Sequence, residues 1–366
     1  AMLGSGLERE VAGDFAAAVD GVNSADAPVV ALDIPTGLHG DTGEVMGVAV
    51  RADITTTFVG LKQGLFLGSG PEYCGSLRYT DLEIDASCFA GKPVEFSRIT
   101  EQRLDELLPR RKRTANTGNF GHVLVVGGGA GMPGAAILCG EAALRSGAGR
   151  VSVATDPSHV ATIANERPEL MPRGIQSADE LAPMMRSCDV IAAGPGLGRT
   201  EWAGELMSAI ATHDGLSVWD ADALNWLAEH PATAARRIIT PHPGEAATLL
   251  GISTAEVQTD RRAAVGALQS RYGGVAVLKG AGTLVKGAED QVRISSSGNP
   301  GMASPGMGDV LAGIIAALLG QGLAPLDAAI AGVELHAQVG DIAARKGERG
   351  MLASDLLDEL RSVVNR

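Results

Sequence analysis

The residues best suited to chemistry lie in a glycine- and proline-rich stretch, residues 298–313, which reads GNPGMASPGMGDVLAG. Its glycines allow main-chain N–H groups to approach a ligand closely. The apolar run from Val310 onwards predicts a buried helix, whose positive end and unpaired N–H groups would attract an anion. Asp309 stands at this junction. A carboxylate is a poor phosphate ligand but a suitable base for a group that receives or loses phosphate. The alternative is that Asp309 only caps the helix.

Other polar groups follow short apolar runs of the kind that form buried parallel strands. Each run ends in a polar or glycine-rich loop, and the carboxyl ends of parallel strands meet at one edge of a sheet. The sequence therefore predicts that these loops converge on a single site. The predicted strands cover residues 123–126, 190–193, 216–219, 237–239 and 275–278.

Five side chains after these strands are candidates for that site. Lys279 can hold a phosphate as a compact charge, or it is a solvated edge lysine. His242, held between two prolines, can hydrogen-bond a substrate or serve the fold alone. Glu245 can bind Mg²⁺ at one remove, through phosphates and water, or it favours a helix dipole. Asp220 and Asp222 can position water or metal, or cap the next helix.

The first part of the chain predicts a smaller, partial Rossmann-like α/β layer over residues 1–97, ahead of a larger domain over residues 98–366. A helix is predicted over residues 14–23, and strands over residues 29–32, 52–59 and 77–84. Asp33 ends the first of these strands, where open α/β sheets place their ligands, and it is therefore a site candidate. The alternative is that Asp33 is a turn residue that satisfies its own backbone.

The composition favours a cytoplasmic α/β enzyme. The chain is 45% hydrophobic but only 3% aromatic, and it has 49 glycines, which suits parallel α/β packing. A formal net charge of −13 argues against nucleic acid and acidic membranes as partners. The four cysteines show no C-x-x-C spacing, which argues against a disulfide or metal framework and favours a reducing compartment.

Five segments in the larger domain resemble motifs of the ADP/ATP-dependent NAD(P)H-hydrate dehydratases, members of the ribokinase-like superfamily. The resemblance covers residues 100–366 and implies a mostly parallel sheet flanked by helices. One departure is Met307, where many relatives carry Thr or Ser before the Gly-Asp pair. The five segments are residues 194–198, 220–225, 241–245, 279–280 and 298–309.

The resemblance implies a role for each matched residue. Asp309 would remove the proton from the C6 hydroxyl of the S form of the hydrate as ADP or ATP phosphorylates it, and phosphate would then leave. Mg²⁺ would bind near Glu245. The nucleotide would be held by Lys279, Gly280, Ala281, Gly282, Thr283 and Gly308, and the hydrate pocket would be lined by Ala135, Gly198, His242 and Asp309.

Residues 1–97 resemble the second half of an NAD(P)H-hydrate epimerase domain. Asp33 and Thr36 match the family's substrate and K⁺ positions, and the hydrate would also contact Gly4, Ser5, Gly6 and Leu7. The family's earlier phosphate loop and an aspartate have no counterpart in this sequence, so we expect the chain as given not to epimerise the hydrate.

Two other functions stay open at this stage. A ribokinase-like kinase acting on a vitamin-precursor alcohol would use the same base and phosphate loop, but would keep its phosphorylated product. A nucleotide-binding module without turnover is the other alternative. We also expect a homo-oligomer with a small-molecule substrate.

Overall fold

Residues 2–91 and 94–365 are described by a computed structural model of the protein. The chain divides into two units, one of residues 1–96 and 255–261 and one of residues 97–254 and 262–366. The division into domains expected from the sequence, residues 1–97 and 98–366, stays a prediction. No helix in the described residues is both long and apolar enough to cross a bilayer.

The first unit contains a three-stranded parallel sheet in the order β1-β2-β3. Its small core packs beneath the first helix and centres on Leu7, Val11, Val19 and Val50. The predicted helix at residues 14–23 is confirmed, and the strands are shorter than predicted. The elements are β1 (Val30–Leu32), β2 (Ile54–Phe58), β3 (Ser76–Thr80), α1 (Asp14–Asn23) and α2 (Gly70–Tyr73).

The ten-stranded sheet has the order β4-β13-β12-β11-β10-β9-β8-β5-β6-β7. The run from β11 to β7 is parallel, whereas β12 pairs antiparallel with both β11 and β13. The strands are β4 (Phe96–Arg98), β5 (His122–Val126), β6 (Arg150–Thr155), β7 (Met171–Gly174), β8 (Val190–Ala193), β9 (Leu216–Trp219), β10 (Arg237–Ile239), β11 (Val275–Leu278), β12 (Leu284–Lys286) and β13 (Val292–Ile294).

Central strands β5, β8 and β11 are buried at every position because helices cover both faces of the sheet. The mostly parallel α/β architecture predicted from the sequence is therefore confirmed. The helices of this part of the chain are α3 (Glu101–Leu107), α4 (Pro133–Arg145), α5 (Val160–Glu166), α6 (Ala178–Ser187), α7 (Glu201–Ala211), α8 (Asp222–Glu229), α9 (Pro243–Leu250), α10 (Thr254–Thr259), α11 (Arg261–Tyr272), α12 (Met307–Gly320), α13 (Pro325–Ala343) and α14 (Ala353–Val363).

Helix α12 is the central helix of the layer that carries the site. It is apolar almost all round, as expected for a helix buried by neighbours on several sides, and it packs against α4, α13 and the strands β8 and β9. Gly313 makes the approach to α4 possible, since a Cβ there would lie only 2.1 Å from the carbonyl oxygen of Cys139. The middle of α12 therefore lies close against α4.

Candidate active site

Three neighbouring strands deliver charged groups to the same edge of the sheet, as the sequence predicted. Asp220 follows β9, Glu245 lies in the first turn of the helix after β10, and Lys279 follows β11. The Lys279 Nζ donates a hydrogen bond of 2.7 Å to Asp220 Oδ1 and lies 3.8 Å from Glu245 Oε2. Lys279 is therefore a buried ion-pair partner rather than a solvated edge lysine.

Asp220 is held firmly in place. Its side chain is only 3% exposed, and its Oδ1 also accepts a hydrogen bond of 2.8 Å from Thr240 Oγ1. A buried carboxylate that keeps a cation and a hydroxyl donor is well compensated, whereas removing either partner would leave a charge in a poorly solvated place. The position of Lys279 thus depends on Asp220.

The first turn of α12 lies against this ion pair. Gly306, in the left-handed region at φ 87°, leads into the helix. A Cβ at Gly308 would lie 2.9 Å from Asp220 Oδ2 and 3.0 Å from Lys279 Nζ, so only glycine fits there without displacing them. Asp309 follows directly, and burial together with the charge of Asp220 raises its pKa to about 7. At that pKa the carboxyl can act as a proton acceptor near neutral pH.

The electrostatics of the cluster are shared among its members. Burial raises the pKa of Glu245 to about 7, against the opposing effect of Lys279. Burial alone would lower the pKa of Lys279, but the charges of Asp220 and Glu245 more than offset this, so its pKa is raised and the ammonium stays charged. One cation is thus surrounded by several carboxylates, which hold it in its charged form.

His242 and Glu245 form a reciprocal cap at the start of α9. The His242 Nδ1 accepts hydrogen bonds from the main-chain N–H groups of Gly244 and Glu245, and Glu245 Oε2 accepts one of 2.7 Å from the His242 N–H. Both side chains therefore cap α9, so the structural role considered as the alternative for each residue is present in the fold. Burial, followed by the Lys279 charge, lowers the pKa of His242, which favours the neutral form of its half-exposed ring; its Nε2 lies 3.6 Å from Glu245 Oε1.

The proposed nucleotide loop, residues 279–283, has little side-chain bulk. The main-chain N–H of Lys279 bonds to the carbonyl of Pro241, and Thr283 Oγ1 donates to the carbonyl of Gly280 at 3.0 Å. Gly280 and Gly282 have φ angles of 134° and 67°, which disfavour other residues, and Ala281 is exposed between them. The loop can therefore offer backbone groups to a ligand.

The other expected pocket residues lie at the neighbouring strand ends, after β5 and β8. The N–H groups of Gly128 and Gly129 bond to the carbonyls of Pro195 and Gly196, which joins these two loops. Ala135, near the start of α4, lies beneath the second loop, because a Cβ on Gly196 would come within 2.9 Å of its methyl group.

Gly198, at φ 79°, donates its N–H to Asp222 Oδ2 at 2.8 Å. Asp222 thereby ties the loop after β8 to the first turn of the helix after β9. The role of these loops in binding the hydrate stays a prediction.

In the first unit, Asp33 has an unusual backbone conformation for a non-glycine residue, with φ at 71°. Its Oδ1 accepts hydrogen bonds from Thr57 Oγ1, the Phe58 N–H and Lys62 Nζ. Three donors on one carboxylate oxygen hold the side chain in position at the end of β1. Asp33 is therefore more than a turn residue satisfied by its own backbone.

The Thr36 hydroxyl oxygen accepts hydrogen bonds from the N–H groups of Met2 and Leu3 and donates one to the Leu3 carbonyl. It thus ties the first described residues to the loop after β1. In the expected contact segment, Gly4, Ser5 and Gly6 are exposed and Leu7 is buried in the core of the unit. The predicted binding roles of these residues stay predictions.

Two features of the site were not found by reading the sequence. Ala221 has φ 50° and ψ −119°, which no sequence pattern announces for an alanine. His336 on α13 has a buried Nε2 without a hydrogen-bond partner in the described part of the chain, and burial lowers its pKa to about 4. Its ring meets the backbone of Met307, at the first residue of α12. A lone histidine in an alanine-rich helix gives no periodic signal that could have identified it.

The side chains of the cluster include oxygen donors of the type that Mg²⁺ binds. In residues 2–91 and 94–365, no three His, Cys, Asp or Glu side chains converge in a way that would hold a metal. The carboxylates of Glu245 and Asp220 are the oxygen donors that Mg²⁺ accepts, and Mg²⁺ is commonly bound through one or two carboxylates plus substrate phosphates. The donor set therefore fits an ion that arrives with a nucleotide, and the binding of Mg²⁺ near Glu245 stays a prediction.

A family model described as NAD(P)H-hydrate dehydratase matches residues 123–362, the part that contains the cluster. The chain belongs to this family. A second model, described as YjeF-related protein N-terminus, matches residues 1–64. The bifunctional NAD(P)H-hydrate repair enzyme of Coxiella burnetii is 46% identical, covering 100% of this chain and 75% of that protein. The Escherichia coli enzyme of the same name is 45% identical, covering 100% of this chain and 71% of that protein.

Solved structures agree with this assignment. An ADP/ATP-dependent NAD(P)H-hydrate dehydratase from Bacillus subtilis, co-crystallised with ATP and Mg²⁺, has a TM-score of 0.65 and 29% identity, covering 72% of this chain and 96% of that one. A ribokinase-like protein from Enterococcus faecalis has a TM-score of 0.68 and 28% identity, covering 74% and 95%. The ribokinase-like fold predicted from the sequence is confirmed.

The expectation that this chain does not epimerise its substrate is not confirmed. The relatives named above are bifunctional by name and match the chain over its whole length, including the first unit. The resemblance of residues 1–97 to part of an epimerase domain therefore does not exclude a function for that unit.

Proposed function

We propose that the chain dehydrates the S form of NAD(P)H hydrate to NAD(P)H, with ADP or ATP as the phosphate donor. The observation that carries the proposal is the carboxyl of Asp309, which has a pKa of about 7 and lies at the start of a buried helix beside Lys279. This arrangement pairs a proton acceptor with an anion-binding helix end. Membership of the dehydratase family supplies the substrate.

The first step is phosphorylation of the C6 hydroxyl. Asp309 accepts the hydroxyl proton while the oxygen attacks the terminal phosphorus, and ADP leaves when ATP is the donor, or AMP when ADP is the donor. Lys279 and the N–H groups at the start of α12 face the phosphoryl oxygens, where negative charge is spread in the transition state. The rigid placement of these donors by Asp220 and by the helix lowers the reorganisation that the reaction needs.

The second step is elimination. Hydroxide is a poor leaving group at neutral pH, whereas phosphate leaves readily once the C6 oxygen has been phosphorylated. The C6–O bond breaks, the C5 proton passes to the departing phosphate, and the C5–C6 double bond of the dihydronicotinamide is restored. A bound Mg²⁺ near Glu245 would neutralise phosphate charge. The neutral His242 ring and the loops around Gly198 and Ala135 would orient the nicotinamide part of the hydrate.

The product distinguishes this function from its alternatives. The purified chain, given S-hydrate and ADP or ATP, should form NADH and inorganic phosphate in equal amounts, followed by NADH absorbance and a phosphate assay. A stable phosphorylated product without NADH would instead show a small-molecule kinase. Nucleotide binding without either product would show a binding module.

For the first unit we propose a hydrate site at Asp33 and a K⁺ site at Thr36. The match of residues 1–64 to the N-terminal family model and the three donors that fix Asp33 support this. Interconversion of the R and S hydrates, followed by NMR with and without K⁺, is the test. Assembly into a homo-oligomer and a cytoplasmic location are further proposals, which light scattering and cell fractionation test.

A further inference from the structure

The short segment Asp220-Ala221-Asp222 occupies a central place in the site. It follows β9, which has on one side β8, leading to the Gly198 loop, and on the other side β10 and then β11, leading to Lys279. One segment therefore borders both the phosphate side and the predicted hydrate side.

The middle residue of this segment is strained. Ala221 has φ 50° and ψ −119°, a region that favours glycine and is unfavourable for a residue with a Cβ. Such conformations persist only where the surroundings enforce them, and they concentrate at functional sites. The start of α8 has no side-chain capping hydrogen bond at its N-cap, so capping at that position does not explain the arrangement. The strained residue instead lies between two carboxylates that have different hydrogen-bond partners.

The first carboxylate faces the phosphate side. Asp220 Oδ1 accepts hydrogen bonds from Lys279 Nζ at 2.7 Å and from Thr240 Oγ1 at 2.8 Å. Its Oδ2 lies within 2.9 Å of the position that a Cβ on Gly308 would take. Asp220 thus fixes the ammonium of Lys279 against the first turn of α12, where the phosphoryl group is expected.

The second carboxylate faces the other side. Asp222 Oδ2 accepts a hydrogen bond of 2.8 Å from the Gly198 N–H, and Oδ1 lies 4.0 Å from Arg199 Nε. The Asp222 side chain is 21% exposed, so this charged hydrogen bond is largely shielded from water. A hydrogen bond to a charged group is stronger than one between neutral groups, so it favours one conformation of the glycine loop.

We infer that Asp220 and Asp222 are two positioning residues for the dehydration, set back to back by Ala221. Asp220 aims Lys279 at the transferring phosphoryl group, and Asp222 holds the Gly198 loop against the nicotinamide part of the hydrate. The segment thereby keeps the phosphoryl donor and the receiving hydroxyl in register. The inference rests on the proposed function. It assigns a different task to each carboxylate, whereas a purely structural role would not distinguish the two.

The test of Asp222 compares the change in KM for the hydrate with the change in KM for the nucleotide. Asp222→Ala removes the acceptor for the Gly198 N–H, so the KM for the hydrate should rise about tenfold, which corresponds to about 1.4 kcal/mol. The KM for the nucleotide should stay within about twofold of the wild-type value. Asp222→Asn retains an acceptor oxygen and should recover most of the loss.

The test of Asp220 concerns kcat. Asp220→Asn keeps the size and one acceptor oxygen but loses the charge that fixes Lys279. A displacement of about 1 Å at a reacting group can lower the rate about 10²-fold, so we expect kcat to fall between about 10-fold and 10²-fold. The hydrate KM should stay within about twofold. Asp214→Asn, an exposed carboxylate before the amino end of β9, is the matched control and should leave both constants unchanged.

The inference is overturned if either variant leaves its constant unchanged, or if both constants move together with a lower Tm in both variants. If the wild-type chain forms no NADH, the proposed function fails first. Calorimetric titration with the S-hydrate then decides the Asp222 half separately. Weaker binding to Asp222→Ala than to Asp222→Asn supports it, and equal binding to the two variants and the wild type refutes it.

Discussion

Asp309→Asn should stabilise the protein while abolishing its turnover. Burial and the Asp220 charge raise the pKa of Asp309 from 3.8 to about 7. The folded protein therefore binds this proton more tightly than the unfolded chain does. Over the interval between those two values the free energy of unfolding falls as pH rises, and above the folded pKa the full loss persists. Asparagine has the same shape and no charge, so the variant escapes this loss.

The magnitude follows from the shift. A rise of about 3 pKa units corresponds to about 4 kcal/mol at pH values above the folded pKa, at about 1.36 kcal/mol per unit. This is an upper limit, because Glu245 titrates in the same range and shares the repulsion. Between about pH 5 and about pH 8, the stability advantage of Asp309→Asn over the wild type should grow by about 3 kcal/mol, which follows from the two pKa units between pH 5 and the folded value.

The assay is thermal unfolding of both proteins without ligand, at about pH 5 and about pH 8. At roughly 2–4 °C per kcal/mol for a domain of this size, the difference in Tm between variant and wild type should widen by about 6–12 °C. In parallel, kcat should fall by at least about 10²-fold, as expected when a general base is removed. The wild-type kcat/KM should decline as pH falls below about 7, because the carboxyl of the free enzyme becomes protonated.

Two results would refute this reasoning. A Tm difference between variant and wild type that is the same at both pH values would show that the folded protein does not raise the pKa of Asp309. Turnover that survives in Asp309→Asn would show that another group accepts the proton. The first result removes the electrostatic argument and the second removes the base assignment.

Gly308→Ala should lower kcat at least about tenfold, because its Cβ would displace the Asp220–Lys279 pair. Gly204→Ala, at a partly exposed position of α7 with open space around the new methyl group, is the control; it should raise stability by about 0.5–1 kcal/mol and leave kcat unchanged. Lys279→Met should weaken ADP binding measured by calorimetry. It should also lower the free energy of unfolding by about 3–5 kcal/mol, because buried carboxylates lose their counter-ion. An unchanged Kd for ADP would contradict the phosphate-binding role of Lys279. Gly313→Ala should lower the free energy of unfolding, measured with denaturant, by more than about 3 kcal/mol, because its Cβ would lie 2.1 Å from a main-chain carbonyl oxygen of α4. A Gly313→Ala variant as stable as Gly204→Ala would contradict the close crossing of α12 and α4.

The sequence predicted most of the parallel strands because each of these carries its own signal, whereas the parallel strand β7 was not predicted. Continuous apolar runs such as residues 190–193 and 275–278 end at glycine or lysine, and the structure places the strands at those residues. The antiparallel strands β12 and β13 were not predicted. They are three residues long each, and LVK and VRI carry one charge apiece. The pairing of β12 with β11 and of β13 with β12, rather than a local sequence pattern, makes them strands.

The site was predictable to the same extent. The convergence of Asp220, Glu245 and Lys279 follows from the general placement of strand ends in a parallel sheet. Which carboxylate would pair with the lysine does not follow, because it depends on strand order and on the turn at Ala221. Sequence reading weighed Asp220 as a water or metal ligand or a helix cap, and the structure shows it as the partner of Lys279.

The charge balance of the cluster explains why a base can work beside an anion site. Asp220, Glu245 and Asp309 surround one ammonium, and if all three were ionised an incoming phosphate would meet net negative charge. The raised pKa values of Asp309 and Glu245, each about 7, show that the fold already opposes full ionisation. In the proposed reaction, Asp309 would accept the hydroxyl proton and become neutral as the phosphoryl group arrives. The same burial that destabilises the ionised carboxyl in the resting protein therefore favours the direction of proton transfer that the reaction requires.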